Sequence, residues 1–218
     1  MERVDSVAKA SPDNVAPAER RYREPASFSL TAQGQALGFY PSGQDRLRAL
    51  LKLIDSAQVT LRIAFYIFSP DASGILVRDA IVAAARRGVD VSVIVDGFGA
   101  SREHYEKLLK AGAQIWEFQP NKLHTKLIVL DDAVYMGSAN FDMRSLYLNL
   151  EIVVRIEDRA LAETMSDFIA QHLPASLAIT PQLHRQRATL WNRLRWRISW
   201  FLVSVVDYTV SRKLNLGL

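Results

Sequence analysis

Cysteine is absent from the 218 residues of this chain. That absence excludes disulfides, thiol nucleophiles, and zinc or iron–sulfur sites with cysteine ligands. Long apolar runs are also missing: the uncharged apolar run 198–206 is much shorter than the about 20 residues that a membrane-spanning helix needs. The polar first 25 residues lack the apolar segment of a secretory signal, so we expect a flexible N-terminal extension there.

What is present indicates a globular protein. The chain is 49% hydrophobic and 23% charged, a composition that excludes a disordered, collagen-like or multi-span membrane protein. Its net charge of +4 is unevenly distributed, because residues 181–218 carry a net +6 and the preceding residues a net −2. A basic C-terminal region is typical of contact with nucleic acid or an anionic membrane.

Hydrophobic periodicity predicts helices that alternate with strands, followed by a hairpin. The expected α/β fold is a mixed β-sheet flanked by helices on both faces, with one repeat per chain. Asp158 is the expected N-cap of the last helix. The predicted helices are 45–56, 74–87, 103–110 and 159–172, and the predicted strands are 59–68, 89–96, 113–118, 126–130, 133–136 and 151–156.

The segment 121–151 contains the residues with the strongest indication of chemistry. His124 and Lys126 are two apart on a predicted strand, so their side chains share one face. Ser138 and Asn140 follow the next strand and add neutral hydrogen-bonding groups. An imidazole, an ammonium, a hydroxyl and an amide together suit a phosphate group.

Each of these residues also has an ordinary structural interpretation. A single histidine on a strand is more often structural than catalytic, and an aspartate between two strands, such as Asp131, is usually a turn residue. Glu151 is equally compatible with a surface charge. Only their joint spacing favours a functional site.

That spacing resembles the signature of the phospholipase D superfamily: His-x-Lys, four residues, Asp, then Gly-Ser-x-Asn and a later Glu. Residues 137–151 and 53–69 are similar to the bacterial cardiolipin synthase branch, and the resemblance covers roughly residues 35–175. It implies that His124, Lys126, Asp131 and Glu151 are catalytic and that Lys126, Ser138 and Asn140 bind the substrate phosphate. It implies no metal and no cofactor.

Two departures from the family pattern stand out. The interval from Asp131 to Gly137 is one residue shorter than is common, which predicts a tighter hairpin. Cardiolipin synthases usually carry two motifs, whereas this chain has one, and its other histidines (His104, His172 and His184) do not supply a second. Single-motif members of the superfamily pair as homodimers, so the resemblance implies a shared active site.

The resemblance also implies a mechanism. His124 attacks phosphorus to form a phosphohistidine, and the partner subunit's His124 serves as general acid and then general base. Glu151 accepts a hydrogen bond from the imidazole. Asp131 is more suited to organising the hairpin or the lysine than to reacting.

We expect a catalytic domain over residues 26–176 and a basic amphipathic tail over 177–218. Apolar positions of the tail recur at helical spacing beside arginines, as in interfacial helices. The expected membrane contacts are Trp191, Arg193, Arg197, Trp200 and Phe201. Packing of this stripe on the domain or on a partner subunit is the alternative.

Three functions remain open on the sequence alone. The first is a phosphatidyltransferase or phospholipase D on membrane phospholipid, with water or an alcohol as acceptor, at the cytoplasmic side of the bacterial inner membrane. The second is a cytoplasmic homodimeric phosphodiesterase that cleaves nucleic acid. The third is an inactive, membrane-binding remnant of a longer synthase.

Overall fold

A computed structural model describes residues 25–97, 102–143, 145, 149–192, 194 and 198. One sheet of nine strands organises this part of the chain, in the order β1-β2-β8-β7-β6-β3-β4-β5-β9. The strands are β1 (Phe28–Ala32), β2 (Gln35–Tyr40), β3 (Thr60–Phe65), β4 (Asp90–Asp96), β5 (Gln114–Phe118), β6 (Lys126–Leu130), β7 (Ala133–Gly137), β8 (Val153–Glu157) and β9 (Ser176–Ala178).

The sheet is mixed, as the sequence predicts. Strand β4 is parallel to both β3 and β5, and the other strand pairs are antiparallel. The parallel strands are connected through helices α2 (Ala72–Arg86) and α3 (Tyr105–Lys110). The remaining helices are α1 (Gly43–Ser56), α4 (Arg159–Ala170) and α5 (Pro181–Arg187), with a short 3-10 helix at Leu173–Ala175.

Two separate cores cover the two faces of the sheet, which confirms the predicted layering. On one face α1, α2 and α3 bury residues such as Ile54, Ile81 and Leu108 against the sheet. On the other face α4 buries Ala162 and Ile169. The N-cap prediction for α4 is confirmed, because the Asp158 carboxylate accepts a hydrogen bond from the Leu161 N–H at 2.7 Å.

The structure contains elements near both ends of the domain that the periodicity does not predict. The uncharged stretch near residue 30 forms the β1–β2 hairpin, which sequence periodicity does not reveal. Strand β9 pairs with β5, Ile179 lies in the core and His184 is buried, so the first part of the predicted tail packs with the domain. The predicted N-terminal extension, up to residue 24, lies outside the described residues.

Candidate active site

The loop between β5 and β6 presents His124 to solvent while its neighbours are fixed. The Leu123 N–H donates to the Asp96 carboxylate at 2.7 Å, and the Tyr66 N–H donates to the Thr125 carbonyl at 2.9 Å. Asp96 is fully buried at the end of β4, and the Leu123 side chain is also buried. The backbone is therefore anchored on both sides of His124, whose side chain is exposed.

His124 and Lys126 form a hydrogen-bonded pair, although His124 lies in the loop before β6 and not on the strand itself. Lys126 Nζ lies 2.9 Å from His124 Nε2 and 3.4 Å from the His124 carbonyl oxygen. An ammonium has only protons to donate, so Nε2 accepts here and the proton of a neutral imidazole sits on Nδ1. Lys126 itself is only 8% exposed at the start of β6.

The surroundings of the two groups lower the pKa of each. The positive charge of Lys126, followed by burial and the charge of Lys122, lowers the pKa of His124. Burial lowers the pKa of Lys126, while the carboxylates of Glu151 and Asp142 act in the opposite direction. The imidazole is thereby favoured in the neutral form, which is the form that has a free lone pair.

Tyr66 forms an aromatic wall beside the pair. Its ring centroid is 4.8 Å from that of His124, 4.7 Å from Lys122 Nζ and 5.3 Å from Lys126 Nζ. Sequence reasoning missed Tyr66. The structure brings it to the site because the antiparallel register of β3 and β6 pairs its neighbour Phe65 with Lys126. Without that antiparallel register, no sequence signal places the tyrosine next to the histidine.

The end of β7 places Gly137, Ser138 and Asn140 on the segment that leads away from the sheet. A Cβ on Gly137 would lie 2.3 Å from the Ile152 carbonyl oxygen, so glycine allows the close approach of β8. The Ser138 hydroxyl accepts a hydrogen bond from the Ile152 N–H at 3.3 Å. Asn140 Oδ1 is buried and has no hydrogen-bond partner.

The charge of Glu151 acts on Lys126, but its carboxylate does not make the expected hydrogen bond to the His124 imidazole. Its Oε1 accepts a hydrogen bond from Asn149 Nδ2 at 3.0 Å, and its Oε2 is buried without a hydrogen-bond partner. Among the described residues, the structure shows no hydrogen bond between Glu151 and His124. Glu151 instead acts through its charge, which raises the pKa of Lys126 against the effect of burial.

Asp131 does not join this group. It lies beyond the other end of β6, about 17 Å from Lys126 at the usual rise of an extended strand. Its carboxylate accepts hydrogen bonds from the backbone N–H groups of three consecutive residues, Gln58, Val59 and Thr60, at 2.8–2.9 Å. These contacts suit the hairpin-organising position of Asp131, and its catalytic role stays a prediction.

Comparison with known proteins shows the family of this chain. Residues 50–173 match the family described as "Cardiolipin synthase, PLD-like domain". The chain belongs to this phospholipase D-like family. It is 36% identical over 162 residues to cardiolipin synthase A of Proteus mirabilis. The matched region covers 71% of the present chain and 32% of that relative. Cardiolipin synthase A of Buchnera aphidicola from Acyrthosiphon pisum is 34% identical over 163 residues. The phospholipase D-like chain spans about a third of the length of these curated relatives.

Solved structures show the same fold. Nuc, a phospholipase D family member from Salmonella typhimurium, is 28% identical with a TM-score of 0.59, and the match covers 67% of the present chain and 97% of Nuc. Phosphatidylserine synthase from Haemophilus influenzae shares the fold at 20% identity and a TM-score of 0.57 over 38% of its own length.

The C-terminal part of this phospholipase D-like chain is only partly described. Trp191 is 73% exposed, and the apolar side chains of Leu194 and Ile198 are also exposed. The predicted membrane contacts Arg193, Arg197, Trp200 and Phe201 lie outside the described residues. Within the described ranges, no helix combines the length and the apolar character needed to cross a membrane.

Proposed function

We propose that this chain is a phosphodiesterase or phosphatidyltransferase that acts on membrane phospholipid, resembling cardiolipin synthase, through a phosphohistidine on His124. The observation that carries the proposal is the exposed His124 imidazole held 2.9 Å from the buried Lys126 ammonium. A neutral imidazole is a nucleophile, and an ammonium beside it stabilises negative charge on a phosphoryl oxygen. The similarity to cardiolipin synthase A favours a phospholipid substrate.

In the first step, substrate binding turns the Lys126 ammonium from His124 Nε2 to a non-bridging phosphate oxygen. The freed Nε2 lone pair attacks phosphorus and forms the P–N bond, while the P–O bond to the leaving alcohol breaks. The electron pair of that bond goes to the alcohol oxygen, which takes a proton from the partner subunit's His124. Ser138 and Asn140 are the proposed additional contacts to phosphate oxygens, and Glu151 orients the site through its charge.

In the second step, water or an alcohol attacks phosphorus and gives its proton to the partner subunit's His124. The P–N bond breaks and returns its electron pair to Nε2 of the nucleophilic histidine. Water gives hydrolysis and a lipid hydroxyl gives transfer. Because each chain carries one motif, this scheme needs a homodimer, and the match over 97% of the single chain of Nuc supports a unit of this size.

Membrane association is the third element of the proposal. Trp191 and Leu190 are 73% and 88% exposed, and the neighbouring sequence is rich in arginine. Aromatic and basic side chains together suit the surface of an anionic bilayer. Sedimentation with phosphatidylglycerol vesicles, but not with phosphatidylcholine vesicles, is the expected result. Equal recovery of the protein in the supernatant with both would contradict a membrane-bound location, including the predicted cytoplasmic face of the inner membrane.

Cleavage of nucleic acid is the second candidate function. It rests on the family resemblance, because single-motif homodimers of the phospholipase D superfamily include nucleases. The match covers nearly all of Nuc, a phospholipase D family member of single-repeat size, but only about a third of cardiolipin synthase A. Against it, residues 1–180 carry a net charge of −2, whereas a nucleic-acid site normally lies in a basic surface.

A paired assay tests the function. Purified protein is incubated with phosphatidylglycerol vesicles and, separately, with DNA, and His124→Asn is the matched control. We expect the unmodified chain to turn over the lipid and the His124→Asn variant not to. Cleavage of DNA without turnover of lipid would select the second function, and inactivity on both would favour a membrane-binding remnant.

Trapping the covalent intermediate tests the mechanism. Acid-labile phosphate from a radiolabelled phosphodiester is expected on His124, and mapping of the labelled peptide checks this. A label on another residue would reject the nucleophile. A monomeric enzyme with full activity, measured by light scattering at the assay concentration, would reject the shared site.

A further inference from the structure

Arg46 is the largest fully buried side chain of the described domain. It lies on α1 with 1% exposure, on the face that packs towards the sheet. Its guanidinium donates hydrogen bonds to three backbone carbonyls, which belong to Pro41, Ser145 and Glu151. The Nη2–O distance to Ser145 is 2.5 Å, and the Nη1–O distance to Glu151 is 2.6 Å.

This burial of charge is costly. Within residues 25–97, 102–143 and 149–192, Arg46 forms no ion pair, and its Nε has no hydrogen-bond partner. A buried cation without a carboxylate is destabilising compared with an apolar side chain of similar size. Stability of the core therefore does not explain an arginine at this position, whereas its three carbonyl contacts do.

The contacts of Arg46 converge on the segment that carries two of the predicted site residues. One of the bound carbonyls belongs to Glu151 itself. A second bound carbonyl belongs to Ser145, whose hydroxyl accepts a hydrogen bond from the Asn140 N–H at 3.0 Å. Arg46 thus fixes Glu151 directly and Asn140 through a single intermediate residue.

We propose that Arg46 is a positioning residue that holds the backbones of Ser145 and Glu151, and through Ser145 that of Asn140, in the conformation that the chemistry at His124 requires. The effect of Arg46 on turnover rests on the proposed phosphodiester chemistry, whereas its effect on the backbone does not. Small displacements of groups that contact the transition state reduce turnover strongly.

The test compares Arg46→Met and Arg46→Lys with Tyr135→Phe. The Tyr135 hydroxyl donates to the Arg46 carbonyl at 2.9 Å, so Tyr135→Phe removes a buried hydrogen bond from the same cluster without touching the carbonyls of 145 and 151. Turnover of an activated aryl phosphodiester is measured well below the melting temperature. We expect kcat to fall by about tenfold to a hundredfold in Arg46→Met, with a smaller change in KM, partial rescue in Arg46→Lys and little change in Tyr135→Phe.

Hydrogen exchange measured by mass spectrometry supplies a second readout. Peptides covering residues 139–152 are expected to exchange faster in Arg46→Met, while peptides covering β6 keep their protection. Unchanged kcat in a folded variant, or faster exchange throughout the sheet, would overturn the proposal. If Arg46→Met does not fold, Arg46→Lys decides by the same two criteria. A wild-type chain without phosphodiesterase activity would reject the proposed function, and the exchange experiment would still decide the role of Arg46.

Discussion

The two ends of strand β6 carry charged residues of one motif but differ in what surrounds them. At the start, Lys126 lies among an imidazole, an aromatic ring and an exposed second lysine. Beyond the end, the Asp131 carboxylate is enclosed by three backbone N–H groups. The first environment leaves functional groups open to a ligand, whereas the second satisfies the carboxylate with hydrogen bonds from the chain itself.

The difference shows that a spaced motif can combine residues for chemistry with residues for the fold. The backbone at Asp131 has a φ of 44°, a conformation that suits aspartate and asparagine better than most residues. Its carboxylate ties the β6–β7 turn to the start of β3. Since β3 is the neighbour of β6 in the sheet, Asp131 helps to fix the strand that carries Lys126.

The largest expected effect is on catalysis at the Lys126 end. Lys126→Met removes the ammonium that we propose stabilises the phosphoryl oxygens, so kcat should fall by about 10²- to 10³-fold. The stability against unfolding should change little, because the substitution also removes a charge that is costly to bury. Steady-state kinetics and thermal unfolding measure the two effects.

Lys122→Met is the matched control for that variant. Lys122 lies two residues before His124 and its side chain is exposed. Removing its positive charge should therefore cause a smaller loss of kcat. Equal losses in the two variants would show that net charge near the histidine matters more than the contact at Nε2.

At the other end, the expected effect is on stability. Asp131→Asn tolerates the positive φ but replaces one acceptor oxygen with a donor that faces backbone N–H groups. We expect the free energy of unfolding to fall by about 1–3 kcal/mol, with kcat retained in the folded fraction. Asp132→Asn, at the exposed neighbour, is the control and should change the stability by less than about 0.5 kcal/mol. A large loss of kcat in folded Asp131→Asn would favour the predicted catalytic role of Asp131 over a purely structural one.

This contrast also shows what could be predicted from the sequence. The apolar pattern identified the strands and helices between residues 43 and 170, because the helices bury positions at helical spacing and the central strands are continuous apolar runs. The β1–β2 hairpin and β9 were missed, since their side chains are mostly exposed or half-buried and show no such pattern. The spacing of His124 and Lys126 placed them together, but Tyr66, Asp96 and Arg46 approach the site from distant parts of the chain. Only the register of the sheet and the packing of α1 reveal them.

The acid side of the stability curve should differ between the wild type and Asp131→Asn. Burial alone would raise the pKa of Asp131, but the three backbone hydrogen bonds outweigh it and hold the pKa below the ordinary value of 3.8. A lowered carboxyl pKa contributes stability that is present above pH 3.8 and is lost as the pH falls through the folded-state pKa. Denaturant titrations between pH 6 and pH 2 should therefore show the two curves converging in acid. Parallel curves over that range would contradict the contribution of the Asp131 charge.

The smallest effect concerns the titration of His124 itself. Lys126 is the main cause that lowers the pKa of His124 below its ordinary value of 6.5, and Lys122 contributes less. An NMR titration of the imidazole should therefore give a higher pKa in Lys126→Met than in the wild type, with Lys122→Met between them. His104 is an internal reference, because it is fully buried and burial lowers its pKa to about 4. Removing the positive charge stabilises the imidazolium, so the histidine stays protonated to higher pH and loses its free lone pair over that range. If Lys122→Met shifts the pKa of His124 more than Lys126→Met does, the exposed lysine and not the buried one keeps the imidazole neutral.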